Sequence, residues 1–90
     1  MRPSKNSVLM AALAAELKAR RGELGLSQEE LAFRCGLDRP YVSLIEVARK
    51  QPTLSVIWRI ADGLELSASE FAANIDARYC KLERARAAKK

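Results

Sequence analysis

The stretch SQEELAFRCGLDRPYVSLIE, residues 27–46, contains two helix starts with a glycine between them. Ser27 precedes Glu30 by three residues, which is the spacing of a capping box at the start of a helix. Asp38 can cap a second helix, whose first turn holds a proline, a residue that fits there. Gly36 lies where the first helix would end, and glycine adopts at little cost the positive φ that such an end requires. The stretch therefore predicts two short helices joined by a tight turn.

Two short helices joined in this way form a helix-turn-helix, whose second helix can enter the DNA major groove while the first crosses the backbone. The sequence meets the packing requirements of this motif. Ala32 is small enough for close helix approach, and Val42 and Ile45 are three residues apart on one helix face. We therefore expect Val42 and Ile45 to be buried, and Arg39 and Tyr41 at the start of the second helix to be accessible.

The rest of the chain also shows apolar residues at helical spacing and no alternating runs of β-branched residues, which predicts an all-α fold. We expect a first helix from about Ser7 to Leu24, a fourth after the cap Thr53, and a fifth that starts at Ser67 or Ser69. Five apolar residues of the fourth helix are expected to point inward: Leu54, Ile57, Ile60, Ala61 and Leu64.

Ninety residues are enough for a single small core. We expect a compact five-helix domain over residues 1–77, followed by a basic C-terminal extension, residues 78–90, that is helical or frays beyond Leu82. The net charge of +5 is uneven, with +4 in residues 1–21, −4 in residues 22–77 and +5 in the extension. Because the basic excess lies only at the ends, net charge alone does not indicate a nucleic-acid partner.

The sequence offers few candidates for catalysis or metal binding. It has two cysteines, Cys35 and Cys80, and no histidine, which excludes a four-ligand zinc site and a Cys–His nucleophile pair within one chain. With no phosphate-binding loop and no convincing carboxylate pair, we expect no cofactor, no metal and no enzymatic activity. For Cys35, beside the glycine turn, a redox switch stays open as an alternative to a small buried residue.

No apolar run approaches the roughly 20 residues that span a bilayer. Early basic residues followed by an apolar run leave a secretory signal as an alternative at the N-terminus. However, Leu9, Leu13 and Leu17 recur every four residues, which favours an amphipathic helix. Since two distant cysteines do not form a dense disulfide framework, we expect reduced thiols and a cytoplasmic, nucleoid-associated protein.

The key positions of the motif resemble those of the Cro and lambda-repressor-like family, also called XRE-type regulators. The flanking segments LKARRGELGLSQEELA and RKQPTLSVIWRIADGLELS match the family in order and spacing, so the resemblance covers Leu13 to Phe71. The segments GLDRPYVS and GLELS look like those of restriction-modification controller proteins, although a phage repressor or an antitoxin would present much the same sequence. The matching key positions are Gln28, Ala32, Gly36, Val42 and Ile45.

The resemblance implies that the chain is a transcriptional regulator that binds double-stranded DNA. It also implies that the start of the second helix touches a phosphate, that the third helix faces the groove, and that Arg21 and Glu46 form a structural ion pair. Arg39 is the best candidate for base readout, because a guanidinium suits guanine O6 and N7. The candidate DNA-binding residues are Ser27, Gln28, Arg39, Pro40, Tyr41, Ser43, Leu44, Arg49 and Lys50.

Two departures from the family pattern affect these expectations. Leu44 stands where relatives usually carry a polar or basic side chain, so it can meet a thymine methyl group but donates no hydrogen bond. Val47 and Ala48 replace the common basic or polar residue and the glycine after Glu46, which leaves the turn geometry and one phosphate contact open.

One reading helix contacts only a few base pairs, so we expect a homodimer on an inverted-repeat operator, with half-sites about 34 Å apart. The expected dimer surface is the fifth helix, around Phe71, Ile75 and Tyr79. No small-molecule ligand is expected, because a pocket would compete with the small core. Trp58 is expected to pack in the core or in a dimer rather than to stack on bases. The alternative function is a protein-interaction adaptor or antitoxin on the same scaffold.

Overall fold

Over the residues that the structure describes, the chain folds into five α-helices joined by short turns. The structure, a computed structural model, describes residues 6–88 and contains no strand in that range. The predicted all-α, five-helix fold is confirmed. The helices are α1 (Ser7–Glu23), α2 (Gln28–Cys35), α3 (Arg39–Glu46), α4 (Leu54–Gly63) and α5 (Ala68–Ala88).

Each helix begins beside a side chain that caps it. The predicted caps of α2, α3 and α4 each accept a hydrogen bond from the backbone N–H three residues further on: Ser27, Asp38 and Thr53. Ser67 rather than Ser69 caps α5, because its hydroxyl accepts from the Glu70 N–H at 3.1 Å while the Glu70 carboxylate accepts from the Ser67 N–H at 3.0 Å. The side chain of Asn6 caps α1, a role that the sequence did not indicate.

The turns that follow the first four helices share one geometry. In each, a residue with positive φ is followed by an N–H that donates to the carbonyl five residues earlier, at 2.9 to 3.0 Å. This arrangement is the Schellman motif, which satisfies carbonyls at a helix end. The turn after α3 forms even though it lacks the glycine of the family pattern. The positive-φ residues are Gly25, Gly36, Ala48 and Glu65, with φ of 67, 68, 59 and 61°.

A single core lies between the helices, where α1 packs on α3 and α5, α2 packs on α3 and α4, and α4 packs on α5. The predicted inward orientation of Val42 and Ile45 is confirmed, since both are fully buried at 0% exposure. Arg39 is exposed and Tyr41 is half-buried, so both are accessible as expected. The largest fully buried side chains are Phe71, Leu17, Leu31, Ile45, Ile60, Leu64 and Val42.

The prediction for the inner face of α4 is confirmed at Ile60, Ala61 and Leu64, which are buried, while Ile57 is half-buried. It is wrong for Leu54, which is 72% exposed. Leu54 is the first residue of α4 and lines an open groove between α1, α4 and α5, so no neighbouring helix covers it.

The last helix continues without a break to Ala88, so the C-terminal extension is helical, not frayed, over the described residues. Its inner face contributes Phe71 and Ile75 to the core, at 0% and 8% exposure. Their own chain covers both side chains, although Ile75 also lines an open groove, so the predicted dimer surface on α5 stays a prediction. Tyr79 is half-buried against the core. Among residues 6–88, no helix is long and apolar enough to cross a membrane.

One carboxylate is buried between α1 and α5. Glu16 is 7% exposed, and it accepts hydrogen bonds from Arg78 Nε at 2.9 Å and from Asn74 Nδ2 at 3.0 Å. Arg78, the first residue of the basic extension, is thereby attached to the domain. A buried carboxylate of this kind has to be paired, because unpaired burial of a charge is costly.

Candidate nucleic-acid interface

The N-terminal half of α3 is accessible, with Arg39 and Pro40 exposed. Asp38 accepts from the Tyr41 N–H at 2.8 Å and so starts the helix immediately before Arg39. With Val42 and Ile45 anchored in the core, the rotation of α3 about its axis is fixed. The predicted groove-facing residues of α3 are then exposed or half-buried, with Leu44 at 42%: Arg39, Pro40, Tyr41, Ser43 and Leu44.

Three cations beside this surface are not engaged by carboxylates. Within residues 6–88, Arg39, Arg49 and Lys50 form no ion pair. Most other arginines of the described chain are held by carboxylates or helix-end carbonyls, and these are Arg20, Arg21, Arg34, Arg59, Arg78 and Arg86. These three cations lie at the start of α3 and in the loop after it, where a polyanion could meet them.

Two of the predicted site residues contact each other. The Lys50 ammonium lies 5.7 Å from the centroid of the Tyr41 ring, within the range of a cation–π interaction. This contact brings the loop after α3 against the first turn of the same helix. The N–H of Arg49 also donates to the carbonyl of Leu44 at 2.9 Å, so the loop is held close to the reading helix.

A hydrogen-bonded network connects α3 to both preceding helices. The predicted pair is present, with Arg21 Nε and Nη2 donating to the Glu46 carboxylate at 2.5 and 2.9 Å. Arg21 Nη1 also donates to the carbonyl of Leu26 at 2.7 Å. Gln28 Nε2 donates to Glu46 Oε1 at 3.0 Å. The side chain of Gln28 is thus bound within the protein as well as being a candidate phosphate contact.

The electrostatics of this network follow from burial and pairing. Burial of the Glu46 carboxyl acts to raise its pKa, but the hydrogen bonds from Arg21 and Gln28 outweigh burial, and the pKa is lowered. The hydrogen bond to Glu46 raises the pKa of Arg21. Both groups are therefore charged at neutral pH, and α3 is attached to α1 by a bidentate ion pair.

The turn between α2 and α3 is held from the side by α4. Arg59 Nε donates to the carbonyl of Cys35 at 3.0 Å and its Nη2 donates to that of Gly36 at 2.7 Å. In the other direction, Arg34 Nη1 donates to the carbonyl of Gly63 at 3.2 Å. Gly63 permits the close approach of the two helices, because a Cβ there would lie 2.5 Å from Cys35 Sγ.

The structure also shows where Cys35 and Trp58 lie, two residues for which the sequence left alternative roles open. Cys35 is 4% exposed, and burial raises the pKa of its thiol, so little reactive thiolate is present. A small buried residue therefore describes Cys35 better than a redox switch does. Trp58 is 57% exposed, so the prediction of core packing is wrong for it, and its packing in a dimer stays a prediction.

The start of α2 carries the remaining candidates. The Ser27 hydroxyl accepts from the Glu30 N–H at 3.0 Å, and the Ser27 N–H donates to the Glu30 carboxylate at 2.8 Å. Ser27 is exposed and Gln28 is half-buried. The contacts of Gln28 with Glu46 and of Lys50 with Tyr41 have no local signal in the sequence, because each pair comes from different elements that only the fold brings together.

Comparisons with known proteins agree with this geometry. A family model described as Helix-turn-helix matches residues 17–71. Over 60 residues the chain is 47% identical to a protein of Neisseria meningitidis serogroup B described as a hypothetical transcription factor. The match covers 67% of this chain and 57% of the length of that relative.

Solved structures give the same result. The crystal structure of the wild-type restriction-modification controller protein C.Esp1396I matches with a TM-score of 0.77 and 33% identity, over 84% of this chain and 99% of that one. The C.Esp1396I tetramer in complex with its natural 35 base-pair operator matches with a TM-score of 0.77 and 32% identity, over 83% and 99% of the two chains. The chain therefore belongs to the helix-turn-helix family of XRE-type transcriptional regulators.

Proposed function

We propose that the chain binds double-stranded DNA sequence-specifically and acts as a homodimer on an inverted-repeat operator. The observation that carries the proposal is the exposed start of α3, which holds an unpaired guanidinium at Arg39 on a helix whose rotation the core fixes. Similarity to C.Esp1396I, whose tetramer was crystallised with its operator, supports the same function. Among a phage repressor, an antitoxin and a restriction-modification controller, the similarity to C.Esp1396I favours the controller.

The proposed contacts divide by chemistry. Arg39 donates in a bidentate manner to guanine O6 and N7, while Leu44 offers an apolar contact to a thymine methyl group. Pro40, Tyr41 and Ser43 complete the surface that enters the groove. Phosphate contacts come from the two ends of the motif, because phosphates accept from cations, hydroxyls and amides without regard to sequence. These phosphate-contacting residues are Ser27, Gln28, Arg49 and Lys50.

The dimer surface is proposed to be the apolar groove along α5 and the start of α4. The groove has a volume of about 490 Å³, and Leu9, Leu54, Ile57 and Ala72 are among the residues that line it. Leu54, at 72% exposure, protrudes at its edge, and Trp58 follows one turn later on α4. A surface that carries both a protruding apolar residue and a recess suits a two-fold interface, in which each copy fills the recess of the other.

Selection of bound sites from a random DNA pool tests the function. We expect a two-fold symmetric consensus whose half-sites are about 10 base pairs apart, and binding that weakens steeply as salt rises. A consensus without symmetry would contradict the homodimer. If no complex with mixed genomic DNA is retained even at low salt, the DNA-binding function itself is wrong.

A protein-interaction adaptor is the second candidate, and one observation favours it. Phe33 on α2 is 88% exposed and lies beside Glu29, Glu30 and Arg34, so this apolar patch carries a net negative charge and does not suit DNA. Measuring DNA binding at several salt concentrations separates the two functions, because an adaptor would form no retained complex with DNA even at low salt.

A further inference from the structure

The start of α2 is connected to the end of α3 through a side-chain amide. Gln28 Nε2 donates to Glu46 Oε1 at 3.0 Å, although 18 residues separate the two in sequence. Glu46 is the last residue of α3, and Gln28 is the first residue of α2. The helix that is proposed to contact phosphate and the helix that is proposed to read bases are therefore joined at this point.

The chemistry of this bond determines how the amide is oriented. A carboxamide has a donor end and an acceptor end of nearly the same shape, so its neighbours decide which end faces which way. An ionised carboxylate only accepts hydrogen bonds, so it selects the NH₂ end of Gln28. The NH₂ group has two hydrogens, and Glu46 takes one of them. Because Gln28 is only half-buried, the second hydrogen is available to an acceptor outside the chain.

The carboxylate is itself held in place. Arg21 donates to both of its oxygens and also to the carbonyl of Leu26, two residues before Gln28. The Glu46 side chain is 3% exposed, so water does not compete strongly for these bonds. A closed path of hydrogen bonds thus runs from Leu26 through Arg21 and Glu46 back to Gln28.

We propose that Glu46 is a positioning residue for DNA binding: it holds the Gln28 amide so that the second N–H points to a phosphate oxygen of the bound duplex. This inference rests on the proposed function, and it adds that a buried carboxylate, which touches no DNA, directs a phosphate contact. The arrangement prevents the opposite amide orientation, in which the Gln28 carbonyl oxygen would face the phosphate and repel it.

A double-mutant cycle tests the inference on the selected operator DNA. Gln28→Met keeps the length of the side chain and removes its hydrogen bonds, and we expect it to weaken binding about fivefold. Glu46→Gln should weaken binding by a similar factor in the wild-type background, because its amide no longer selects one orientation of Gln28. In the Gln28→Met background the same change should have less than about a twofold effect, since the contact is already lost. Glu23→Gln, an exposed carboxylate of α1, is the control and should not couple to Gln28.

A spectroscopic readout separates positioning from a general structural role. The two side-chain amide protons of Gln28 should be resolved by ¹H–¹⁵N NMR in the folded protein, with one displaced by the carboxylate; operator DNA should shift the other. In Glu46→Gln the displacement should disappear while the backbone spectrum stays folded. Equal binding losses for Glu46→Gln in both backgrounds, with wild-type binding intact, would overturn the inference and leave the proposed function standing. Absence of wild-type binding would reject the function itself.

Discussion

Arg59 is an arginine whose guanidinium is used by hydrogen bonds within the fold. Its guanidinium donates to two carbonyls at the end of α2 and its turn, so it serves as a cap supplied by another helix. Arg39 and Arg49 have no such partner in the described chain. At the residue scale, the distinction between structural and free arginines depends on nearby carbonyls and carboxylates, which the sequence alone does not reveal.

Arg39→Ala should flatten sequence preference more than it weakens overall binding. The change removes the bidentate guanine contact, which contributes about 1–3 kcal/mol of discrimination. Arg49→Ala is the matched comparison, and it should weaken binding to all sequences and reduce the salt slope by about 1. Affinities for consensus and scrambled sites at several salt concentrations give both quantities. If Arg39→Ala lowers the affinity for consensus and scrambled sites equally, Arg39 contacts a phosphate and not a base.

Gly63→Ala should destabilise the domain by about 1–3 kcal/mol, because the added methyl group overlaps Cys35 Sγ and forces α2 and α4 apart. Gly22→Ala is the control. No atom lies within 4 Å of a Cβ at Gly22, so that change should stabilise α1 by about 0.5–1 kcal/mol. Urea denaturation measures both, and adding Cys35→Ala to Gly63→Ala should recover part of the loss. Similar stabilities for the two glycine variants would show that α2 and α4 are not packed this closely.

At the scale of elements, the four Schellman turns set the angles between successive helices. Gly25 and Gly36 follow the usual chemistry of such turns, whereas Ala48 and Glu65 hold a left-handed conformation with a side chain attached. The starts of α2, α3 and α4 were predictable, because Ser27, Asp38 and Thr53 are residue types that cap the backbone N–H three residues further on, whereas the cap Asn6 was missed. The ends of α3 and α4 were less predictable, because their usual glycine marker is absent.

Ala48→Gly should stabilise the protein by about 0.5–1 kcal/mol, since glycine adopts the same φ without a steric cost. Thermal unfolding monitored by circular dichroism measures the change, and operator affinity should stay close to wild type. Gly25→Ala makes the reverse exchange at an equivalent turn and should destabilise the protein. A loss of stability in Ala48→Gly would contradict the left-handed conformation at that turn.

The link between α1 and α3 should make stability depend on pH. Because the folded-state pKa of Glu46 is lowered, the unfolded carboxyl takes up a proton first as the pH falls. The stabilisation by Glu46 is therefore fully present above the unfolded pKa of about 4.3 and is lost as the pH falls further, through the folded pKa. Near neutral pH, Glu46→Gln should lower the free energy of unfolding by about 2 kcal/mol.

Denaturant titrations of wild type and Glu46→Gln between pH 3 and 7 would measure this difference. The difference in the free energy of unfolding should shrink below about pH 4.3. The capping carboxylates Glu30 and Glu70 are present in both proteins, so they contribute equally to the pH dependence of each. A difference that stays constant with pH would mean that the carboxylate charge does not stabilise the fold.

At the scale of the whole molecule, the sequence predicted the core of the motif but not the outer surface. The geometry of two crossing helices requires apolar residues at Val42 and Ile45, so their spacing in the sequence was sufficient to predict that both are buried. Spacing is not sufficient at Phe71, Ile75 and Leu54. A stripe of apolar residues indicates that the face is buried, but it does not indicate whether the same chain or a second copy covers it. Only the packing of α5 on α1 shows that Phe71 and Ile75 are used internally.

Leu54→Glu should weaken dimer formation, because the change places a charge at the edge of the apolar groove. Sedimentation velocity over a range of concentrations would show the shift to monomer, and operator binding should become less cooperative. Phe33→Glu is the control, since this exposed residue lies on α2 and does not line the groove. If both variants dimerise like wild type, the interface lies elsewhere.

The ion pair of Glu16 and Arg78 has a consequence for how the protein is made. The carboxylate belongs to the first helix, while its cationic partner lies at the middle of the last described helix. During synthesis on the ribosome, Glu16 emerges long before residue 78 does. The native packing of α1 is therefore completed only after residue 78 has been translated, and a nascent chain arrested at residue 77 retains an unpaired Glu16 carboxylate where the folded protein has an ion pair.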